Sequence, residues 1–218
     1  MIHKTKPLTA TTMASRTAVI LFIFTIGFTT VLAGVYLLTK PAIDASSAQE
    51  KMRSIGEVLP PSNYDNELLT DTLVLPPTAE LGLDDVSTVY RARLGGAPAA
   101  LVLETVAPDG YSGKIRLLVG IRFDGSITGV RVTQHKETPG LGDYIDPKKD
   151  KNKDRPWITQ FDGLSLDKVA PHNWKVKKDG GRFDSTAGAT ISPRAVVKAV
   201  AKALNYVAEN RDKLYAAK

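Results

Sequence analysis

The sequence predicts an α+β protein in which a single N-terminal transmembrane helix precedes an antiparallel β meander and a C-terminal helix. Three observations carry this expectation. Thr17 to Thr39 is a run of 23 residues without a charge. Between Val86 and Gln134, short apolar runs alternate with turns rich in Gly, Pro and Asp. After Ser192, the apolar residues Val196, Val200, Leu204, Val207 and Leu214 recur at helical spacing, while Lys198, Lys202, Asn205, Glu209 and Arg211 take other faces. Strands followed by a helix make the α+β pattern.

Residues 1–16 carry Lys4, Lys6 and Arg16 and no acid, and read as a cytoplasmic tail. Residues 17–39 form the membrane span. At ~1.5 Å per residue this helix reaches about 34 Å, enough for a hydrocarbon core of ~30 Å. A cleaved signal peptide is the competing reading, with Ala33-Gly34 after Val31-Leu32. The apolar run exceeds the usual signal core of roughly 7–15 residues, so a retained anchor is expected. The flanking basic residues tie, since Lys40, Lys51 and Arg53 balance Lys4, Lys6 and Arg16. A large domain after one anchor is generally carried outward, and that orientation is expected here.

Residues 40–85 read as a linker helix and loop. Asp44 to Leu59 is the helix, capped by Asp44, with Met52, Ile55, Val58 and Leu59 on one side. Pro60 to Asp85 is loop with one short strand. Residues 86–218 form the main domain. Val89–Leu94 and Ala99–Val106 are strands around the turn Gly95-Gly96-Ala97-Pro98. Asp109 to Gly113 is a second turn, and Lys114–Phe123 is apolar enough for a central strand. Asp124-Gly125 makes a hairpin, and Ile127–Gln134 returns with Val130 and Val132 facing one way.

Composition excludes several chemistries. The chain has no cysteine, so disulfides, thiolate metal sites and thiol nucleophiles are ruled out. His3, His135 and His172 show no metal-ligand spacing. The net charge of +6 is mild and lacks a dense basic run interleaved with aromatics, so nucleic acid is not an expected partner. Asp146 to Arg155 is a solvated charge run. Its Asp150, Asn152 and Asp154 mimic a calcium loop, but Arg155 stands where the glycine belongs and Phe161 at the twelfth position.

Two stretches carry chemistry. In Asp184-Ser185-Thr186-Ala187-Gly188-Ala189-Thr190-Ile191-Ser192-Pro193, Ser192 is a good N-cap and Pro193 suits the first helical position. Gly188 and Ala189 leave room for a bulky group on Thr190. The free amides of a helix N-terminus favour an anion such as a phosphate. Taken by itself, this stretch reads more readily as a plain loop feeding a capped helix. In His135-Lys136-Glu137-Thr138-Pro139-Gly140-Leu141-Gly142, Pro139-Gly140 enforces a turn and Gly142 permits backbone angles that other residues resist. A His, a Glu and a Thr are gathered there beside one exposed Leu; a polar hairpin end is the plain alternative.

These motifs, together with the N-terminal span, Leu117-Leu118-Val119-Gly120-Ile121, Lys177-Lys178-Asp179-Gly180-Gly181 and Arg194-Ala195-Val196-Val197, resemble the FMN-binding domain family. Within it, the chain is similar to the G subunits of the Rnf (Rsx) electron transport complex; the longer C subunits of sodium-pumping NADH:quinone reductase share the two motifs. The resemblance makes 86–218 an FMN-binding domain and implies a covalent FMN, its phosphate esterified to Thr190. It also implies contacts from Gly188, Ala189 and Ser192 around the phosphate. His135, Glu137, Thr138, Leu141, Gly142 and Lys178 are then expected at the flavin, with Leu141 against its ring. The family pattern has Ser or Thr where Ala187 stands. No His or Lys lies beside Thr190 to activate it, and family members are modified by a separate flavin transferase that uses FAD and magnesium. Asp184 is then a recognition or metal contact in that step. Partners implied are the other members of the Rnf complex (its A, B, C, D and E subunits). Location is the bacterial inner membrane, with the soluble domain in the periplasm. Such complexes move electrons between NADH and ferredoxin, coupled to ion transport, and this chain would be a relay with no complete active site of its own. Two other readings stand beside this one: a single-span periplasmic sensor of a small anion, and a non-redox assembly protein.

Overall fold

The computed structural model describes residues 9–216. The first element, α1, runs Ala10–Gly56. It is the one helix among the described residues long and apolar enough to cross a membrane. Its apolar side chains lie in the open, with Phe22, Leu32 and Leu38 at 66%, 68% and 83% exposure, which is not how a soluble core helix is arranged. The separate helix expected from Asp44 does not exist as such: α1 continues through Pro41, and Asp44 caps nothing. Proline removes its own N–H and disturbs one carbonyl a turn earlier, and the Ala-, Gln-, Glu- and Lys-rich residues beyond it resume the helix.

The folded unit begins at Glu50. Its sheet is a five-stranded antiparallel meander in the order β1-β2-β3-β4-β5. The strands are β1 Thr72–Leu75, β2 Ser87–Leu94, β3 Ala97–Gly110, β4 Gly113–Arg122 and β5 Ile127–Gln134. The return strand has the expected bounds. β1 lies within the expected linker and is nonetheless an edge strand of the sheet, paired with β2 from Thr72↔Tyr90 to Leu75↔Ser87.

Alternation along the interior strands loads both faces. Leu101 and Leu103 of β3, with Ile115, Leu117, Val119 and Ile121 of β4, enter the main core. That face is covered by α2, Ile191–Glu209, which packs mainly on β3. Val196, Val200, Leu204 and Val207 are the buried stripe of α2, and each stabilises by about 1.5–3 kcal/mol on burial. Leu214, expected on the same helix, belongs to a separate short one, α3, Arg211–Tyr215, because the chain turns at Asn210.

The opposite face holds a smaller cluster of Ile55, Val58, Leu59, Leu68, Ala92, Ala100, Val102 and Leu118, with Met52 packed against it. The apolar side expected for Met52 to Leu59 therefore finds its partner on the sheet. Here the backbone at Val58 lies so close that Cβ atoms on the cross-strand pair Gly120 and Gly129 would meet its carbonyl oxygen at 2.6 and 3.0 Å. Thr128 Oγ1 donates to the same oxygen at 2.5 Å.

Candidate functional site

At one end of the sheet the β3–β4 turn, the segment after β5 and the start of α2 converge. Helix α2 begins at Ile191, with Thr190 in the cap position. Ser192 is therefore not the N-cap that its residue type suggests; it sits inside the first turn, and its Oγ donates to Glu137 Oε2 at 2.5 Å. A buried carboxylate outcompetes the local capping bond, since charge-assisted bonds are roughly twice as strong as neutral ones. Thr190 makes no capping hydrogen bond with its side chain. Among the described residues, the amides of Ile191 and Ser192 have no backbone acceptor, and Arg194 N–H is the first to bond back, to Thr190 O.

The loop feeding Thr190 is held from outside. Trp157 Nε1 donates to Asp184 O at 2.6 Å, and Asp184 N–H donates to Gln160 Oε1 at 2.8 Å. Tyr144 Oη donates to Ala189 O and accepts from Thr186 N–H, at 3.1 and 3.0 Å. Tyr144 in turn packs edge-on against Trp157, and Trp157 against Phe161. Burial pushes the Tyr144 phenol above its ordinary pKa, which keeps this donor protonated. Gly188 has φ +82°, a conformation that side-chain-bearing residues rarely adopt, and no atom would meet a Cβ there. The space beside Thr190 is thus left open by backbone conformation.

Around Thr190 lies a cavity of about 120 Å³, lined by Tyr111, Glu137, Thr138, Leu141, Gly142, Gly188, Ala189, Thr190, Ile191 and Ser192. Eight of the residues singled out from sequence meet here, drawn from two motifs fifty residues apart. Glu137 is their brace: it is 4% exposed, and its Oε1 accepts from Ser112 N–H at 3.1 Å in the β3–β4 turn. A Cβ on Gly110 would approach Glu137 Oε1 to 2.8 Å. One on Gly142 would approach Ser192 Oγ to 2.5 Å and Glu137 Oε2 to 2.9 Å. Gly142 does not have the positive φ expected of it; Gly140 has, at +76°. What Gly142 supplies is room for the Glu137–Ser192 pair.

Three expected residues lie outside this lining. The half-buried His135 accepts from Glu137 N–H through Nδ1 at 3.1 Å and faces Asp146 through Nε2 at 4.0 Å, shaping the loop. Lys178 sits on the short turn Lys177–Asp179. Its neighbour Lys177 pairs with Asp184 at 2.5 Å. Asp184, Ser185 and Thr186 line a second, larger cavity of about 500 Å³, with Lys149, Asp150, Lys151, Asn152, Arg155 and Trp157. Leu141, 54% exposed, borders both cavities. Among the described residues no group of three His, Asp or Glu side chains is placed to hold a metal ion. Tyr111 and Tyr144 carry no signal in the sequence that marks them as site residues. Each lies in a turn or loop without periodicity, and only the fold brings it to the motif.

Two families match the chain. Residues 110–205 match the FMN-binding domain, and residues 2–58 match the RnfG N-terminal region. Similar proteins include the G subunit of the ion-translocating oxidoreductase complex of Pseudomonas aeruginosa, 46% identical over 92% of both chains. The G subunits of the same complex from Shewanella baltica (41% identical, 90% of both chains) and Vibrio atlanticus (40%, covering 92% of this chain and 93% of the relative) are similar at the same scale. The structural elements match this pairing, with one long apolar helix in the N-terminal region and the Thr190 cavity inside the FMN-binding segment. The chain belongs to the family of ion-translocating oxidoreductase complex G subunits.

Proposed function

We propose that this chain is the FMN-bearing subunit of an ion-translocating oxidoreductase complex of the Rnf type, its flavin esterified through phosphate to the Thr190 hydroxyl. One observation carries the reading: Thr190 stands at the head of α2 with its side chain free of any capping bond, beside first-turn amides without backbone acceptors. The residues fit a phosphoester. Amides and the helix dipole favour its charge, Gly188 and Ala189 add no bulk, and Ser192 offers a further amide.

When bound, FMN supplies one- and two-electron chemistry. The protein's part is to attach and orient it and to keep the attachment point from shifting. Glu137 and Ser192 fix the first turn of α2 to the β3–β4 turn, and Tyr144 fixes the loop before it. Thr138, Leu141 and Gly142 wall the cavity, and the exposed Leu141 would meet the ring. His135 and Lys178 act from further out, His135 by shaping the loop that carries Glu137. No His or Lys lies beside Thr190, and the Glu137 carboxylate in the same cavity is engaged by Ser192 and Ser112, so activation comes from a maturation enzyme, a flavin transferase; Asp184, exposed at the other end of the loop, is where that enzyme recognises the motif. The anchor is α1, in the bacterial inner membrane, with the sheet domain on the periplasmic side. There the chain relays electrons on a path between NADH and ferredoxin, alongside the A, B, C, D and E subunits.

The test is in-gel fluorescence of the full chain made together with the transferase. The denatured band is expected to fluoresce under ultraviolet light, and the Thr190→Ala band to stay dark. A dark wild-type band defeats the proposal.

A further inference from the structure

We propose that Tyr144 is a positioning residue for flavin transfer, its phenol holding the turn Thr186–Ala189 in the one shape that presents Thr190. The inference rests on the FMN reading above and concerns a residue outside both motifs. The turn has one bond of its own. Ala189 N–H donates to Thr186 O at 3.0 Å, and Gly188, with φ +82°, stands where a type II turn requires positive φ. Thr186 and Ala189 thus face each other as an antiparallel pair. Such a pair is ordinarily closed on its other side by a bond from Thr186 N–H to Ala189 O. Among the described residues that bond is not made. The Tyr144 hydroxyl stands there instead, accepting from Thr186 N–H at 3.0 Å and donating to Ala189 O at 3.1 Å. One side-chain oxygen is spliced into the pair, and both backbone groups are satisfied through it.

What the phenol fixes is the acceptor. Ala189 C=O and Thr190 N–H belong to one planar peptide unit, so setting the direction of that carbonyl sets how the chain enters Thr190. No cap bond from Thr190 itself holds the junction, and Thr186, Ala187 and Gly188 are exposed. An exposed turn with a single internal bond opens readily. In the transfer, Thr190 Oγ bonds to the FMN phosphorus as the pyrophosphate bond of FAD breaks; AMP departs, and the hydroxyl proton passes to a base of the transferase. A nucleophile held slightly out of line loses much of its rate in such a step.

The phenol is itself firmly placed. Tyr144 rides on the helical turn Gly142–Ile145, whose Ile145 is fully buried. Its ring meets Trp157 edge-on at 5.9 Å. Trp157 is tied at both ends, its N–H to Asp150 and its Nε1 to Asp184 O, each at 2.6 Å. The two aromatic residues therefore grip the loop at Asp184, Thr186 and Ala189, and Thr190 is the next residue along.

The test compares the full-length wild type with Tyr144→Phe, which keeps the ring and removes the hydroxyl. Hydrogen exchange of the 184–194 segment is measured on chains that carry no flavin. Initial rates of covalent flavin formation are then measured against chain concentration, with transferase, FAD and magnesium. We expect faster exchange in the segment, unchanged exchange in β3 and β4, and a kcat/KM lower by about tenfold, the scale of one or two net hydrogen bonds. Given time, Tyr144→Phe should reach the wild-type flavin content. A wild-type rate in the variant overturns the proposal. So does a slower rate with unchanged exchange of the segment, which would put the phenol in contact with the transferase. Exchange raised equally in β3 and β4 overturns it too, since it marks a general loss of stability. Absence of FMN from the wild type as well removes the attachment itself, a failure distinct from these.

Discussion

The two cavities that flank the loop Asp184–Thr190 differ in size, lining and meaning. The larger, about 500 Å³, is walled by lysines, an arginine and aspartates together with Tyr144 and Trp157, does not reach Thr190, and its buried acids are already engaged: Asp150 accepts from Trp157 N–H at 2.6 Å and Asp143 from Gly140 N–H at 2.9 Å. The smaller, about 120 Å³, has an exposed apolar rim, a helix N-terminus and an uncapped hydroxyl. Volume alone would choose the first. Chemistry chooses the second, because an attachment site needs a free nucleophile and amides for the phosphate, and the group it receives can extend outward. Under the proposed attachment, the motif would have a recognition end at Asp184 and an acceptor end at Thr190.

The sharpest way to break this division is to exchange the effects of its ends. Thr190→Ala should abolish covalent flavin completely. Asp184→Asn should leave the attachment residue unchanged and slow the modification, read as the fluorescent fraction over a time course with transferase. An Asp184→Asn protein modified at the wild-type rate would remove the recognition role.

Glu137→Ala tests the brace behind the smaller cavity. It strips a buried hydroxyl and a backbone N–H of their acceptor, and should cost about 2–4 kcal/mol in denaturant unfolding. The fluorescent fraction should fall with it. No comparable loss is expected from Lys149→Ala on the rim of the larger cavity.

Two glycines refine the contrast. Gly142→Ala puts a methyl at 2.5 Å from Ser192 Oγ, and should cost about 1–3 kcal/mol through overpacking. Gly140→Ala meets no atom but keeps φ at +76°, and should cost about 1–2 kcal/mol through backbone strain alone. Only Gly142→Ala should also depress flavin attachment.

The smallest effect concerns pH. The hydrogen bond from Arg194 holds the Asp179 carboxyl below its ordinary value of 3.8, and one from Lys198 does the same for Asp109. Each folded-state pKa is depressed, so the unfolded chain binds more protons near pH 4. The associated stability is present above pH 3.8 and is lost as pH falls through the folded values. Asp179→Asn should therefore flatten the acid limb of a melting-temperature profile and change little at neutral pH.

Local signals made much of this legible from sequence. The charge-free run, the period of Val196 to Val207 and the Asp124-Gly125 hairpin each depend on neighbours a few residues apart, and the structure has them where expected. Eight of the residues singled out in the two motifs share one cavity. How they are joined is invisible in the linear order. Ser192 looks like a cap until Glu137, 55 residues away, takes its hydroxyl. Gly142 looks like a turn glycine until the same pair shows why a methyl cannot fit. Tyr111 and Tyr144 carry no periodic signal, and the run 40–59 hides a helix that passes through Pro41.

The most direct measurement is tandem mass spectrometry of the peptide spanning Asp184 to Arg194, from full-length protein made alongside the transferase. We expect the mass of FMN less one water, localised to Thr190. The unmodified peptide alone, or the adduct on Thr186 or Ser192, would contradict the account.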